Sequence, residues 1–173
     1  KPEVERRAKI DPQQQALWGH SLGGLFVLNT LYTRPAAFQY YLAASPSLWW
    51  AQGAALGDPE QQFVQNVHGQ PAKVWLMLGG AERVGDRGKR DMNNPRVVAH
   101  LRRIGGATPD AALQLSTRLA KVPALQVQYR EFPGLGHGPM LPASFHAALH
   151  ELYGVADRSV DDGKAPAPAN AAE

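Results

Sequence analysis

The stretch QALWGHSLGGLFVLNTLY, Gln15–Tyr32, decides how this chain is read. It sets Ser21 between Gly19 and Gly23, with an apolar run on either side. A serine that only had to display a hydroxyl on a loop would need no flanking glycines. A serine forced into a tight strand-to-helix turn does. "ALWG" reads as a short strand. "SLGGLFVLNTLYTR" reads as a helix that stops before Pro35, because the residue ahead of a proline avoids helical geometry. G-H-S-L-G therefore matches the nucleophile-elbow pattern G-x-S-x-G in the strand–turn–helix context that gives the pattern meaning. A Cβ at Gly19 or Gly23 is expected to collide with backbone, and Gly24 is expected to let the helix approach the sheet closely. The N–H of Leu22, at the helix start, is expected to face an oxyanion. The competing reading is a glycine-rich turn whose serine merely caps the helix.

Outward from the turn, strands and helices alternate. Residues 1–15 read as the end of an amphipathic helix (Val4, Ala8, Ile10) and a turn at Asp11-Pro12. "YYLAAS", Tyr40–Ser45, reads as a second buried strand, followed by the loop "SPSLWW". "KVWLMLGG", Lys73–Gly80, is a third, apolar enough to be buried on both faces. "NPRVVAHLRRIG" is a helix closed by glycine, "STRLAKV" a weaker helical piece, and "LQVQYREF", Leu125–Phe132, a fourth strand. "PASFHAALHELYG" is the last helix, again with a glycine stop. The pattern implies an α/β fold with a mostly parallel sheet and helices on both faces. Residues 1–156 form the domain in this reading. Residues 157–173, polar and Ala/Pro-rich, read as a disordered tail.

Composition narrows the function classes. The chain has 173 residues, no cysteine, and a net charge of +3 from 18 basic and 15 acidic residues. So small an excess gives no argument for a nucleic-acid partner. No run approaches the roughly 18 apolar residues of a membrane span, so no membrane partner is expected. Without cysteine, thiolate chemistry and disulfides are excluded. The compartment and the oligomeric state are left open.

In a parallel sheet of this kind ligands bind beyond the carboxyl ends of the strands, which is where the partners of Ser21 belong. A serine hydroxyl is a poor nucleophile without a base. Of the six histidines, His20 sits inside the turn and is expected to point away. His68 lies in a polar loop and His100 within a helix. His146 and His150 lie one helical turn apart and read as a surface pair, with no further ligand to make a metal site. His137, in "FPGLGHGPM" after the fourth strand, is placed to act as general base. Glu82, two residues past "LMLGG", is the preferred acid, completing the chain order Ser21, Glu82, His137. Asp86 and Asp91 in the same loop compete for that role. Such a centre needs no cofactor and no metal.

The residues Asp11–Trp50, "LMLGGAE" and "FPGLGHGPMLPASFHAAL" together resemble the esterases of the α/β-hydrolase fold, and among them the ferric-siderophore esterases that open enterobactin and salmochelin trilactones. The pairing of "GHSLGG" with "SPSLWW" carries more of the resemblance than the elbow does. The resemblance implies a serine hydrolase acting on a small-molecule ester, with Ser21 as nucleophile and His137 as base. Some siderophore esterases work with a Ser–His dyad, so the part of Glu82 stays open. Members of the fold carry the serine after the fifth strand, whereas only about twenty residues precede Ser21. The chain is therefore expected to be the C-terminal part of an α/β-hydrolase domain, its first strand left with an open apolar edge.

Two further features bear on substrate. The loop "RVGDRGKRD" carries Arg83, Arg87, Lys89 and Arg90 against Asp86 and Asp91, a net positive rim that would draw an anionic ester. Trp49 and Trp50 offer flat faces for aromatic rings or the wall of a pocket. Arg83, Arg87, Trp49 and Trp50 are accordingly the candidate substrate-binding residues. A charge run as a solvated loop, and paired tryptophans as core, are the bland alternatives. At the level of the whole chain the alternative to a serine esterase is a non-catalytic fragment or binding module.

Overall fold

The computed structural model describes residues 1–67, 71–83, 93–104 and 108–154. The four apolar runs each form a strand: β1 (Ala16–His20), β2 (Tyr40–Ala44), β3 (Ala72–Gly79) and β4 (Leu125–Phe132). They pair in chain order, and every pairing is parallel. Parallel neighbours need crossovers, and right-handed crossovers between successive strands put their helices on one face. The helices follow this rule. α2 (Leu22–Thr33), α3 (Asp58–Asn66) and α6 (Ala111–Leu119) supply Val27, Leu28, Leu31, Phe63, Leu115 and Leu119 to a core against Tyr41, Ala43, Val74 and Leu76. The opposite face, with Leu42, Ala44, Trp75 and Met77, is covered by Met140 and Ala148 of α7 (Met140–Tyr153). β3 is buried along both faces, as its apolar run requires. Three further helices complete the described chain: α1 (Pro2–Arg7), the short α4 (Gly80–Arg83) and α5 (Pro95–Ile104). None of the described helices is long and apolar enough to cross a membrane.

Several boundaries differ from the sequence reading. α1 ends at Arg7 and buries nothing; Val4 is exposed, so its apolar residues do not make the expected packed face. α3 has no counterpart in the sequence reading. It begins with Asp58-Pro59, a favoured opening, and is mostly polar, with Phe63 buried and Val64 exposed. Its buried Glu60 accepts from Arg118 Nε and Nη2 of α6 at 2.5 and 2.8 Å. α6 starts at Ala111, ahead of the weak "STRLAKV" segment, because Ala111, Ala112, Leu115, Ser116 and Leu119 form one buried stripe. α7 begins at Met140 rather than Pro142 and closes on Gly154, which adopts φ 66° and returns its N–H to His150 O.

β1 lies at one edge of the sheet, where among the described residues it pairs only with β2. The proposed tail, together with Asp86, Arg87, Lys89, Arg90 and Asp91, lies outside the described residues, as do His68 and the side chain of His100.

Candidate active site

Because all four strands run the same way, their carboxyl ends share one edge, and each end delivers part of the site. Ser21 comes directly after β1. It adopts φ 60° and ψ −118°, a conformation unfavourable for a residue with a Cβ. Its N–H is held by Ala44 O at 3.0 Å, which continues the β1–β2 ladder into the turn. The turn exists because Gly19 has no side chain: a Cβ there would lie 2.3 Å from Gly23 O. The expectation for Gly23 itself is corrected, since a Cβ at Gly23 would meet nothing within 4 Å. Gly23 matters as the backbone that Gly19 must clear. Gly24 does carry the close approach of α2 to the sheet, a Cβ there falling 2.9 Å from Ala44 O.

The Ser21 side chain does not cap α2. Its Oγ lies 3.0 Å from His137 Nε2, while His137 Nδ1 lies 2.7 Å from Glu82 Oε2. With a carboxylate on Nδ1, that nitrogen carries the proton, Nε2 is the acceptor, and Ser21 donates to it. Glu82 is positioned by α4, immediately past β3. Gly79 makes room for this: a Cβ there would lie 2.2 Å from Leu135 O and 3.0 Å from Glu82 Oε1. Burial alone would raise the Glu82 carboxyl. Hydrogen bonds from His137, Ser45 Oγ and Gly79 N–H outweigh that penalty and hold it below the ordinary carboxylate range.

His20 is a second correction. Its Nε2–H donates to His137 O at 2.9 Å, and the two rings lie 4.6 Å apart. The reason is the two-residue period of a strand: His20 shares the face of Trp18, and the loop bearing His137 crosses that same face on its way into α7. Burial, and then the neighbouring His137, lower the proton affinity of His20. Two more groups escape the sequence reading. Ser45 and Ser47, both 2 % exposed, reach the site from the turn after β2. Ser45 Oγ donates to Glu82 Oε1 at 2.6 Å, and Ser47 Oγ lies 3.2 Å from Ser21 Oγ. Their signal is the motif "SPSLWW" at a strand end, but serines are common in turns.

Leu22 opens α2, so its N–H has no intrahelical acceptor. Its half-exposed side chain, with Leu25, Phe26, Asn29, Tyr32 and Trp50, lines a mostly apolar groove of about 410 Å³ along α2, which Ser21 itself does not line. Trp49 is less exposed and lies 5.9 Å from Trp50, ring to ring. Arg83 is not a free cation. Its Nε and Nη2 donate to Asp110 Oδ1 at 3.0 and 2.6 Å, and Nη1 donates to Glu131 Oε2 at 2.8 Å. The expected positive rim therefore loses Arg83 to two carboxylates brought in by the start of α6 and the end of β4. Arg87 lies outside the described residues. No group of three or more metal-ligating side chains occurs among the described residues. His146 and His150 are both exposed on α7, as a surface pair.

Comparison with known proteins supplies the family. The family model described as "Esterase: Putative esterase" matches residues 1–134. The ferri-bacillibactin esterase BesA of Bacillus subtilis is 37 % identical over 153 residues, covering 86 % of this chain and 46 % of that protein. The apo-salmochelin esterase of Escherichia coli is 32 % identical over 153 residues, covering 88 % and 42 %. The solved structure of the siderophore hydrolase EstB from Aspergillus nidulans superposes with a TM-score of 0.70 at 27 % identity, over 87 % of this chain and 53 % of that one. The chain spans about half the length of the curated relatives it matches.

Proposed function

The chain belongs to the esterase family, and from that premise we propose that it carries the reacting centre of a serine esterase acting on a siderophore-like small-molecule ester. The observation that carries the proposal is the continuous hydrogen-bonded chain from Ser21 through His137 to Glu82. Ser21 Oγ attacks the ester carbonyl as its proton passes to His137 Nε2. The oxyanion that forms is met by the N–H of Leu22. The proton on Nε2 then moves to the departing alkoxide, which leaves as an alcohol. Water enters, gives its proton to His137 and releases the acid, restoring Ser21. Glu82 holds the imidazole in the tautomer that accepts at Nε2 and stabilises the imidazolium. Its lowered proton affinity keeps it ionised throughout this cycle.

The substrate class rests on different support. The names of the relatives point to siderophores, and the groove of Leu22, Phe26 and Trp50, which begins at the residue after Ser21, suits an aromatic or otherwise apolar part of an ester. Attraction of an anionic ester falls to Arg87, Lys89 and Arg90, since Arg83 is already paired.

The test is labelling by a fluorophosphonate probe, with Ser21→Ala and His137→Ala as controls. The second step compares kcat/KM for a ferric catecholate trilactone and an uncharged short-chain aryl ester, at low and high salt. Labelling that maps to Ser21 and vanishes in both variants is the expected result. Folded protein that does not label would favour a non-catalytic module. Faster, salt-independent hydrolysis of the neutral ester would refute the siderophore reading and leave a general esterase.

A further inference from the structure

The turn Ser45-Pro46-Ser47 after β2 touches both ends of the proposed relay, yet the mechanism above uses neither of its hydroxyls. β2 is the strand between β1, which delivers Ser21, and β3, which delivers Glu82. The turn at its end therefore lies between the strand ends that deliver the nucleophile and the acid. Ser45 Oγ donates to Glu82 Oε1 at 2.6 Å, beside the Gly79 N–H at 3.0 Å, leaving Oε2 to His137. Ser47 N–H donates to Ser21 O at 3.1 Å, and its Oγ lies 3.2 Å from Ser21 Oγ. Since the single Ser21 proton is directed to His137 Nε2, Ser47 is the donor in that contact. Ser45 also holds φ 40°. A non-glycine residue in this region is strained and persists only where its surroundings require it. Ser21 and Ser45 are thus two strained serines on adjacent strand ends, joined through one relay. Both are anchored by ladder-like bonds, Ser21 N–H to Ala44 O and Ser45 N–H to Met77 O at 2.8 Å.

We propose that Ser45 is a positioning residue that sets the Glu82 carboxylate, so that one defined oxygen faces His137, and that Ser47 orients the nucleophilic hydroxyl of Ser21. The inference rests on the serine-esterase reading of the site and extends it to a turn that reading leaves idle. The Ser45 hydroxyl occupies the Glu82 oxygen that would otherwise compete for the imidazole N–H. Without it the carboxylate rotates more freely and His137 is held less well. The loss falls on the chemical step and not on substrate binding.

The test uses Ser45→Gly, which removes the hydroxyl and relieves the backbone at φ 40°, and Ser45→Ala, which removes the hydroxyl alone. Both are expected to slow fluorophosphonate labelling and kcat by roughly 10- to 100-fold, with KM within about threefold. A low-field proton resonance from the His137–Glu82 bond should be present in the wild type and in Ser21→Ala, and lost in Glu82→Gln and in both Ser45 variants. Ser47→Ala should keep that resonance while labelling falls by about 3- to 10-fold. Ser45 variants that label within about twofold of wild type, or that retain the resonance, overturn the proposal while leaving the esterase reading intact. A wild type that does not label overturns the esterase reading, and the resonance still decides whether Ser45 positions Glu82.

Discussion

Gly79→Ala tests whether the base is held by backbone contact at the end of β3. The new Cβ would sit 2.2 Å from Leu135 O and 2.9 Å from Leu135 C. Ordinary carbon–oxygen contact begins about 1 Å further out, so one side must move. β3 is paired to β4 along its whole length and to β2 from Lys73 to Met77, and Gly79 itself is in register with Phe132. The loop carrying His137 therefore gives way. Leu135 O also accepts from Ala81 N–H at 3.1 Å, so the displacement loosens the tie between that loop and the helix bearing Glu82. His137 lies two residues on, with only 3.0 Å between Nε2 and Ser21 Oγ. A shift of about 1 Å takes that contact out of hydrogen-bond range and is worth ~100-fold in rate. Overpacking of this kind costs about 1–3 kcal/mol of stability. The assay pairs the fluorophosphonate labelling rate with a thermal melt. Labelling within about threefold of wild type would refute the reasoning, because the loop would then have absorbed the Cβ without moving the imidazole.

Three further outcomes are expected from the same contacts. Glu82 has a depressed native proton affinity, so its contribution to stability is present above the ordinary carboxylate range and is lost as pH falls through its lower native value. Glu82→Gln should therefore melt below wild type near neutral pH and converge with it in acid; parallel curves of melting temperature against pH would contradict this. Arg118→Met strands the carboxylate of Glu60, whose side chain is 5 % exposed, although Arg118 itself is 42 % exposed. A loss of about 2 kcal/mol, below the range for fully buried pairs, is expected in denaturant unfolding, with the rate of Ser21 labelling unchanged. Trp50→Ala opens one wall of the groove beside Leu22 and should raise KM for an aromatic ester by ~5-fold while leaving kcat near wild type; an equal fall in kcat would place Trp50 in the reacting centre instead.

The fold is legible in the sequence where period and punctuation agree. β4 runs over the expected Leu125–Phe132, and the continuous apolar run of β3 marks its burial on both faces. α3 stays hidden because it is fastened by one buried ring, Phe63, and by Glu60 paired with the partly exposed Arg118, and no hydrophobic stripe announces such contacts. For the site, Ser21, Glu82 and His137 are identifiable as candidates from the loop at the carboxyl end of each strand, and the structure brings the three side chains together. His20 departs from expectation because the strand period aims its ring at the loop of His137, and the turn motif alone does not carry that information. Arg83 departs from it because Asp110 and Glu131 are 27 and 48 residues away along the chain, and only the fold brings them to it.

The strand order also explains how an acid after β3 reaches the ring. Ser21 and Glu82 stand at the ends of strands separated by one other, a gap of roughly 9.5 Å. Hydrogen bonds of 3.0 and 2.7 Å with an imidazole between them cross that gap when short side chains lean in from both sides. Glu82, three residues past Gly79 on a single helical turn, spans its share of the gap directly. The same geometry leaves the end of β2 between the two, where Ser45 reaches the acid and Ser47 the nucleophile. The relay is therefore a property of adjacent parallel strands before it is a property of any one residue. Its tolerance to substitution should be least where a Cβ meets backbone, at Gly19 and Gly79, and not at Gly23, where a Cβ meets nothing within 4 Å.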